Sequence, residues 1–127
     1  MYEYAIKEIV KVVDGDTIDI IIDLGFNLSK KERVRLAGID TPESRTKDLE
    51  EKAMGIEAKD FLSRRLEDGV DSGLVVKTEK DGKYGRMLGW IFIGKTNLNL
   101  EMIYRGYAWE YTGGTKEKDL EELRAKR

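Results

Sequence analysis

Two runs rich in Ile and Val, residues 4–13 and 17–23, flank the tripeptide Asp14-Gly15-Asp16 and restrict the fold more than any other feature. An Asp-Gly pair favours the tight turn of a β-hairpin, so the two runs are predicted to pair as antiparallel strands. Alternate residues of a strand share one face. The second strand therefore has an apolar face formed by Ile18, Ile20 and Ile22, with Asp19 and Asp23 on the other face.

Three further strands are predicted downstream of this hairpin. Residues 24–31 are polar and predict a loop, after which the run 32–39 predicts a third strand. This strand must end before Pro42, because proline has no N–H group for the ladder and keeps its neighbour extended. Two later β-like runs, 73–79 and 85–93, are separated by an Asp-Gly turn and predict the last two strands.

Three helices complete the predicted elements. The hydrophobic period changes to that of an amphipathic helix between residues 48 and 66. A second helix is predicted from Asn99, as its N-cap, to Gly106, and the charged tail 115–127 suits a short third helix. The apolar stripe of the first helix consists of Met54, Ala58, Phe61, Leu62 and Leu66.

The length of 127 residues fits a single domain, taken as residues 1–127. The predicted order is βββ-α-ββ-α-α, with a helix between the third and fourth strands. Antiparallel strands of this length with that insertion predict an α+β fold, a five-stranded antiparallel β-barrel of the OB type with three helices. A generic α+β sandwich is the alternative that the same elements allow.

Histidine and cysteine are both absent from the chain. Their absence excludes imidazole general bases, cysteine nucleophiles, disulfides and nearly all zinc or copper sites. Any metal must then be a hard ion held by oxygen, calcium or magnesium. Acid–base chemistry must come from Asp, Glu, Lys, Tyr or a bound water.

No stretch of the sequence approaches the roughly 18 consecutive apolar residues that a membrane span requires. Charged side chains among the first thirteen residues also interrupt any signal-peptide run. The chain is therefore expected to be soluble and monomeric, with no membrane partner. It would be cytoplasmic as it stands, or the mature form of a secreted protein.

The net charge of −2 argues weakly against a nucleic-acid partner. Basic residues nevertheless outnumber acidic ones in the segments 30–47 and 77–86. Solvated loops explain such clusters as well as a binding surface does, so charge alone does not decide between them.

Acidic residues recur in the first hairpin turn and after the third predicted strand. Such residues are common in hairpin turns, so Asp14 and Asp16 also have an ordinary structural explanation. If the third strand lies beside the hairpin, however, Asp16 and Asp40 converge. Two carboxylates and a backbone carbonyl form an oxygen site suited to calcium, and Glu43 would then lie near a water bound there.

The segment Lys83-Tyr84-Gly85-Arg86 enters the predicted fifth strand and alone indicates a turn with solvated charges. Together with Arg35 it offers a second guanidinium, and each guanidinium can bond a phosphate bidentately. The two groups would neutralise the charge that grows as water adds to phosphorus. One metal ion, two arginines and one glutamate would thus form a histidine-free phosphodiesterase.

In order and approximate spacing, these three motifs resemble those of the staphylococcal nuclease (thermonuclease) family, and the likeness extends to about Ala108. The resemblance implies a calcium-dependent endonuclease that cleaves single-stranded DNA and RNA to leave 3′-phosphate ends, with one calcium ion per site. A catalytically silent OB module that binds single-stranded nucleic acid or protein partners is the alternative. The enzyme is favoured because five demanding positions occur together: Asp16, Arg35, Asp40, Glu43 and Arg86.

The resemblance also implies a role for each matched residue. The expected metal ligands, with Asp14 behind them, are the side chains of Asp16 and Asp40 and the backbone carbonyl of Thr41. The expected catalytic residues are the phosphate clamps Arg35 and Arg86 and the general base or water-positioning group Glu43. The expected substrate contacts are Lys83, Tyr84, Leu36, Leu88 and Tyr111, whereas Trp109 is expected in the core.

Overall fold

The computed structural model describes residues 2–79, 87–114 and 118–127. The Ile- and Val-rich runs form the predicted hairpin, with β1 at Tyr2–Asp14 and β2 at Thr17–Gly25. The other strands are β3 (Leu28–Leu36), β4 (Ile39–Asp40), β5 (Leu74–Thr78), β6 (Met87–Ile93), β7 (Thr96–Asn97) and β8 (Trp109–Glu110). The helices are α1 (Leu49–Gly69), α2 (Leu98–Tyr104) and α3 (Leu120–Arg124).

The main sheet closes on itself to form a barrel. Its strands follow the order β3-β2-β1-β5-β6, and β3 pairs with β6 as well. This closing pair is parallel, with Leu36 opposite Gly89, while the other barrel pairs are antiparallel. A parallel pair requires a long connection, which the segment with α1 and β5 provides. The described residues thus form the predicted five-stranded OB-type barrel with three helices, with one parallel pair at its closure.

The loop predicted over residues 24–31 is wrong, because β2 and β3 occupy most of it. Only Phe26 and Asn27 connect the two strands, with φ angles of 54° and 61°. Two left-handed residues give a hairpin turn the twist of its flanking strands, so the strands extend to its edge. This turn lacks the usual glycine at its second position, and the sequence therefore predicted a longer loop.

Helix α1 begins and packs as predicted. The Asp48 carboxylate is its N-cap and accepts hydrogen bonds from the N–H groups of Glu50 and Glu51 at 3.0 and 3.2 Å. The five apolar residues of the predicted stripe are all buried. Four of them join the inward-facing side chains of the barrel in one core, and Met54 joins a smaller core with Trp109 and Leu123.

Helix α2 begins at Leu98, and its N-cap is Asn97, two residues before the predicted cap; Asn97 accepts a hydrogen bond from the Leu100 N–H at 3.2 Å. The prediction of Asn99 as N-cap is wrong, because Asn97 is the last residue with extended backbone and the helix begins at the next residue. The Asn99 side chain is fully buried and accepts a hydrogen bond from the Ile91 N–H at 3.0 Å. Its amide donates to the carbonyls of Ala37 and Gly89 at 2.8 and 3.0 Å, so it joins α2 to the closing strands.

The C-terminal tail forms a short helix, α3, that lies against α1. Arg124 and Arg127 each form an ion pair with a glutamate of α1. Trp109 is a core residue, as expected, and its indole N–H donates to the Asp119 carbonyl at 3.0 Å. None of the helices within the described ranges is long and apolar enough to cross a membrane.

Candidate active site

The first hairpin and β3 place Asp16 beside Arg35. The two strands are paired so that Thr17 lies opposite Arg35, and the Leu36 N–H donates to the Asp16 carbonyl at 2.8 Å. The Thr17 hydroxyl also donates to the Asp16 carboxylate at 3.1 Å. Backbone pairing between β2 and β3 therefore fixes Asp16 next to Arg35.

Asp40 approaches the same arginine from β4. The Arg35 Nη2 atom lies 3.6 Å from Asp16 Oδ2 and 3.7 Å from Asp40 Oδ1, and all three side chains are largely buried. Both distances exceed those of hydrogen bonds. Nη1, by contrast, donates to the Leu36 carbonyl at 2.9 Å. The guanidinium is thus anchored at one nitrogen, and its other end faces two carboxylates without being bonded to either.

The environment of Asp40 disfavours a bare negative charge. Burial raises the pKa of Asp40 most, and although the nearby Lys118 ammonium lowers it, the Asp16 carboxylate raises it further. Arg35 and the Thr41 backbone N–H also act to lower that pKa, but the outcome lies above the ordinary value of an aspartate. An additional positive charge would therefore stabilise the ionised forms of these two partly buried carboxylates.

Thr41 and Glu43 follow Asp40 in the segment between β4 and α1 and are positioned by two close glycine contacts. A Cβ atom on Gly15 would lie 3.1 Å from the Thr41 hydroxyl oxygen, and one on Gly55 would lie 2.5 Å from the Glu43 backbone. Thr41 is buried at 3% exposure, whereas the Glu43 side chain is 63% exposed. The Glu43 N–H donates to Glu51 Oε2 at 3.0 Å. Helix α1 thus holds the Glu43 backbone and leaves its carboxylate in solvent.

The structure adds two residues that the sequence did not single out. The Ser44 hydroxyl donates to Asp14 Oδ1 at 2.6 Å and joins the loop after β4 to the hairpin. The Lys118 ammonium lies 3.6 Å from both Glu43 Oε1 and Glu51 Oε2. Neither residue belongs to a motif with recognisable spacing, and their approach depends on tertiary packing, so no local signal could have found them.

Lys118 is held in an acidic environment. Burial alone would lower the pKa of Lys118, but the carboxylates of Asp40, Glu43 and Glu51 together outweigh it. The pKa of Lys118 therefore lies above the ordinary value of a lysine. The acidic cluster, formed by the carboxylates of Asp16, Asp40 and Glu43, consequently has a charged ammonium beside Asp40 and Glu43.

The expected substrate contacts are only partly brought together. Leu88 lies opposite Arg35 in the closing pair and is 48% exposed, so it borders the site. Leu36 is 1% exposed and belongs to the core, because its side chain points into the barrel; the expected pocket contact is not available there. Tyr111 is close to β4, since its N–H donates to the Gly38 carbonyl at 2.8 Å. Lys83, Tyr84 and Arg86 lie outside the described residues.

Asp16 and Asp40 are the candidate ligands, among the described residues, for the metal ion that the family resemblance implies. Among the residues that the structure describes, no group of three or more acidic, histidine or cysteine side chains converges as a metal site. Asp16, in the turn between β1 and β2, and Asp40, in β4, both lie within 4 Å of the Arg35 Nη2 atom, and both present hard oxygen atoms. Such a set fits an oxygen-preferring ion that keeps several waters or substrate oxygens in its coordination shell.

Comparison with known proteins identifies the relatives of this chain. Residues 33–127 match the family model described as staphylococcal nuclease homologue. The chain is 36% identical over 124 residues to the micrococcal nuclease of Shigella flexneri, a match that covers 90% of this chain and 63% of that protein. It is 34% identical over 101 residues to the thermonuclease of Staphylococcus hyicus, with coverage of 80% and 56%.

A third relative is the protein ParB of Escherichia coli, which is 34% identical over 127 residues, covering 92% of this chain and 63% of that protein. The chain thus spans about half to two thirds of the length of these curated relatives. The family model covers most of the chain and includes Arg35, Asp40, Thr41 and Glu43. On the strength of the barrel and these matches, the chain belongs to the staphylococcal nuclease family.

Proposed function

We propose that this protein is a calcium-dependent endonuclease that hydrolyses phosphodiester bonds of single-stranded DNA and RNA and leaves 3′-phosphate ends. The observation that carries the proposal is the Arg35 guanidinium, held within 4 Å of the two carboxylates Asp16 and Asp40 without a hydrogen bond to either. Family relatives named thermonuclease and micrococcal nuclease support the same reaction class.

Asp16 and Asp40 would hold one calcium ion, together with the backbone carbonyl of Thr41. The ion would supply positive charge next to the phosphate and offset the charge that develops there during hydrolysis. The raised pKa of Asp40 supports this assignment, because a site that destabilises a second negative charge gains from a nearby cation. Asp14 would support the ligands from behind, where its carboxylate is fixed by Ser44.

Arg35 would grip the scissile phosphate. One nitrogen of its guanidinium is bonded to a backbone carbonyl, which fixes the plane of the group, and the other end can turn from the carboxylates toward an anion. A guanidinium that is already oriented loses little freedom on binding and stabilises negative charge in the transition state. Arg86 would be the second clamp, by its match to the family motif.

Glu43 would position, and accept a proton from, the attacking water. Its exposed carboxylate and its backbone, pressed against Gly55 of α1, suit a side chain that must reach toward a substrate from a fixed base. Lys118 lies beside this carboxylate, 3.6 Å from its Oε1 atom, and would help to orient it. Lys83, Tyr84, Leu88 and Tyr111 would contact the substrate on either side of the scissile bond, and the active species would be a monomer.

A cleavage assay on single-stranded DNA tests the proposal with calcium, with magnesium in its place and with a chelator. We expect cleavage only with calcium, and we expect Asp16→Asn and Asp40→Asn to abolish it. Arg35→Lys keeps the charge but loses the planar fork, so kcat should fall about 10²–10³-fold. The matched control is Asp71→Asn, which removes an exposed carboxylate away from the site and should cleave normally.

Circular dichroism melting curves establish whether each variant still folds. Full cleavage in chelator would refute the metal role of Asp16 and Asp40. Binding of single-stranded DNA with no cleavage under any of the three conditions would instead identify the chain as a silent OB module.

A further inference from the structure

An aromatic row runs along the outer face of β6 and begins at the candidate site. Leu88 lies opposite Arg35 in the parallel pair, so the two side chains share one face of the sheet. Alternate residues of a strand lie on the same face, which places Trp90 and Phe92 behind Leu88 in the same row. Successive members of such a row are separated by about 6.6 Å, the rise of two strand residues.

The far end of this row lies in an open groove of about 340 Å³, lined by Lys77, Trp90, Phe92, Asn97 and Leu100. Lys77 is the groove's cation and comes from β5, where it lies opposite Trp90. Its ammonium lies 4.3 Å from the centre of the Phe92 ring and 3.3 Å from a carboxylate oxygen of Glu3. Glu3 is 62% exposed, so this ion pair is a solvent-screened one that an incoming anion can displace.

Trp90 connects the groove to the candidate site through Gly38. A Cβ atom on Gly38 would lie 2.5 Å from the end of the indole ring, so the ring lies directly over that glycine. The Gly38 carbonyl in turn accepts the hydrogen bond from Tyr111. Gly38 thus contacts both Trp90 and Tyr111, and Asp40 follows it by two residues, so the segment 38–40 links the groove to the carboxylates beside Arg35.

We infer that this groove binds a nucleobase of the single-stranded substrate, one or two nucleotides from the scissile bond, with the base on Trp90 and the adjacent phosphate on Lys77. An apolar, aromatic-lined groove whose described lining includes one cation, Lys77, matches a flat base attached to one phosphate. Continuity with the Arg35 site selects a nucleic-acid strand as the occupant. The inference rests on the proposed function, whose substrate it extends beyond the scissile phosphate.

Fluorescence titration in chelator tests the groove without cleavage. The chain has 2 tryptophans. Trp109 is fully buried, so oligonucleotide-dependent quenching should report Trp90. We expect an octathymidylate to quench this emission and to bind more tightly than a trithymidylate, which is too short to fill both sites. Trp90→Leu should remove the quenching and raise the Kd for the octamer on the order of 5- to 100-fold.

A second variant keeps the test informative if Trp90→Leu fails to fold. Lys77→Gln leaves the aromatic surface intact and should raise the octamer Kd and make its salt dependence shallower by about one phosphate contact. Phe26→Leu is the matched control, because Phe26 is 97% exposed at the hairpin tip, at the opposite end of β3 from Arg35. This variant should bind the octamer like the unmodified chain.

Two results would overturn the inference. One is an octamer Kd that is unchanged in both Trp90→Leu and Lys77→Gln. The other is Trp90 emission that changes with protein concentration but not with oligonucleotide, which would show that a second copy of the chain fills the groove. Absence of any cleavage would overturn the proposed function, whereas either of these two results together with Arg35-dependent cleavage would overturn the groove alone.

Discussion

At the scale of single residues, the candidate site depends on positions where a side chain is absent. Gly55 lies in the middle of α1, where glycine costs about 1 kcal/mol relative to alanine. The close approach of the Glu43 backbone accounts for it, because a Cβ atom there would overlap the Glu43 carbonyl group at 2.5 Å. The position of the proposed base is therefore determined by a helix residue that carries no functional group.

Gly55→Ala should separate stability from activity. The substitution improves helix propensity but pushes the Glu43 loop away from α1, and displacements of this kind reduce rates strongly. We expect kcat on single-stranded DNA to fall about 10–100-fold, with a melting temperature close to that of the unmodified chain. Gly69→Ala is the control in the same helix, since its Cβ would meet side-chain atoms of Leu74 and Ile93 and not the Glu43 backbone. Equal kcat values for the two variants would contradict the prediction.

At the scale of elements, buried or shielded polar groups fix how helices and strands meet. Asn99 joins α2 to the backbone of β6 and to Ala37, which precedes the Gly38 turn toward Asp40. Asp19 and Arg33 join β2 to β3 by two hydrogen bonds, at 2.8 and 3.0 Å. These contacts connect the elements that carry Asp16, Arg35 and Asp40.

Asn99→Leu should destabilise the fold far more than loss of the true helix cap. It leaves the Ile91 N–H and the Ala37 carbonyl without their partner, which costs about 2–6 kcal/mol in total at about 1–3 kcal/mol for each group. Asn97→Ala removes only the N-cap and should cost about 1 kcal/mol. Urea unfolding of both variants measures the difference. Similar losses for the two would show that the buried amide adds nothing beyond an ordinary cap.

The Asp19–Arg33 pair predicts a specific pH dependence of stability. Hydrogen bonds from Arg33 hold the pKa of Asp19 below its ordinary value, against an opposing effect of burial. A carboxylate with a lowered pKa stabilises the fold above the pKa of the unfolded chain, and this stability is lost as the pH falls through the folded pKa. Arg33→Met should therefore lower the free energy of unfolding at neutral pH.

The penalty of Arg33→Met should disappear at the acidic end of the range, once the pH falls below the lowered folded pKa of Asp19 and this carboxyl is protonated in both proteins. Denaturant unfolding of the two proteins between pH 2 and pH 7 measures it. The double variant Asp19→Asn with Arg33→Met is the control, since it leaves no unpaired charge and should show no such pH dependence. A penalty that is constant over the whole range would mean that the pair contributes through packing alone.

At the scale of the whole molecule, a net charge of −2 must be reconciled with a polyanionic substrate. Long-range attraction cannot concentrate nucleic acid on such a chain, so affinity must come from local cations. Among the described residues of the proposed path, Arg35 faces two acids and Lys77 one, so their positive charges are partly offset. Binding should accordingly depend on stacking and on a small number of phosphate contacts.

The salt dependence of binding measures this balance. We expect a plot of log Kd against log salt, measured with octathymidylate in chelator, to have a slope of about 1–3, the value for a few phosphate contacts on a single strand. A strongly basic member of the family measured in parallel should show a steeper dependence. A slope for this chain that implies many contacts would show that cations elsewhere on the molecule guide the strand.

The elements that the sequence predicted correctly are those with strong local patterns. The first hairpin, the start and apolar stripe of α1 and the order of the strands each follow from periodicity or turn chemistry within a few residues. The turn at Phe26 and the cap of α2 were wrong, because Asn97 and Asn99 have equal capping propensity and only the backbone path distinguishes them. Motif spacing indicated Asp16, Arg35 and Asp40, and the barrel brings them together.

The sequence by itself determined the β-rich barrel class and the residues of the acidic cluster. It also determined, through the absence of His and Cys, that the ligands of any metal ion would be oxygen atoms. Only the tertiary structure decided that β3 and β6 pair in parallel, that Lys118 reaches Glu43 and that Trp90 lies over Gly38. The physical reason is range. Periodicity and turn propensity act between neighbours in the chain, whereas these contacts join segments tens of residues apart and depend on how the whole core packs.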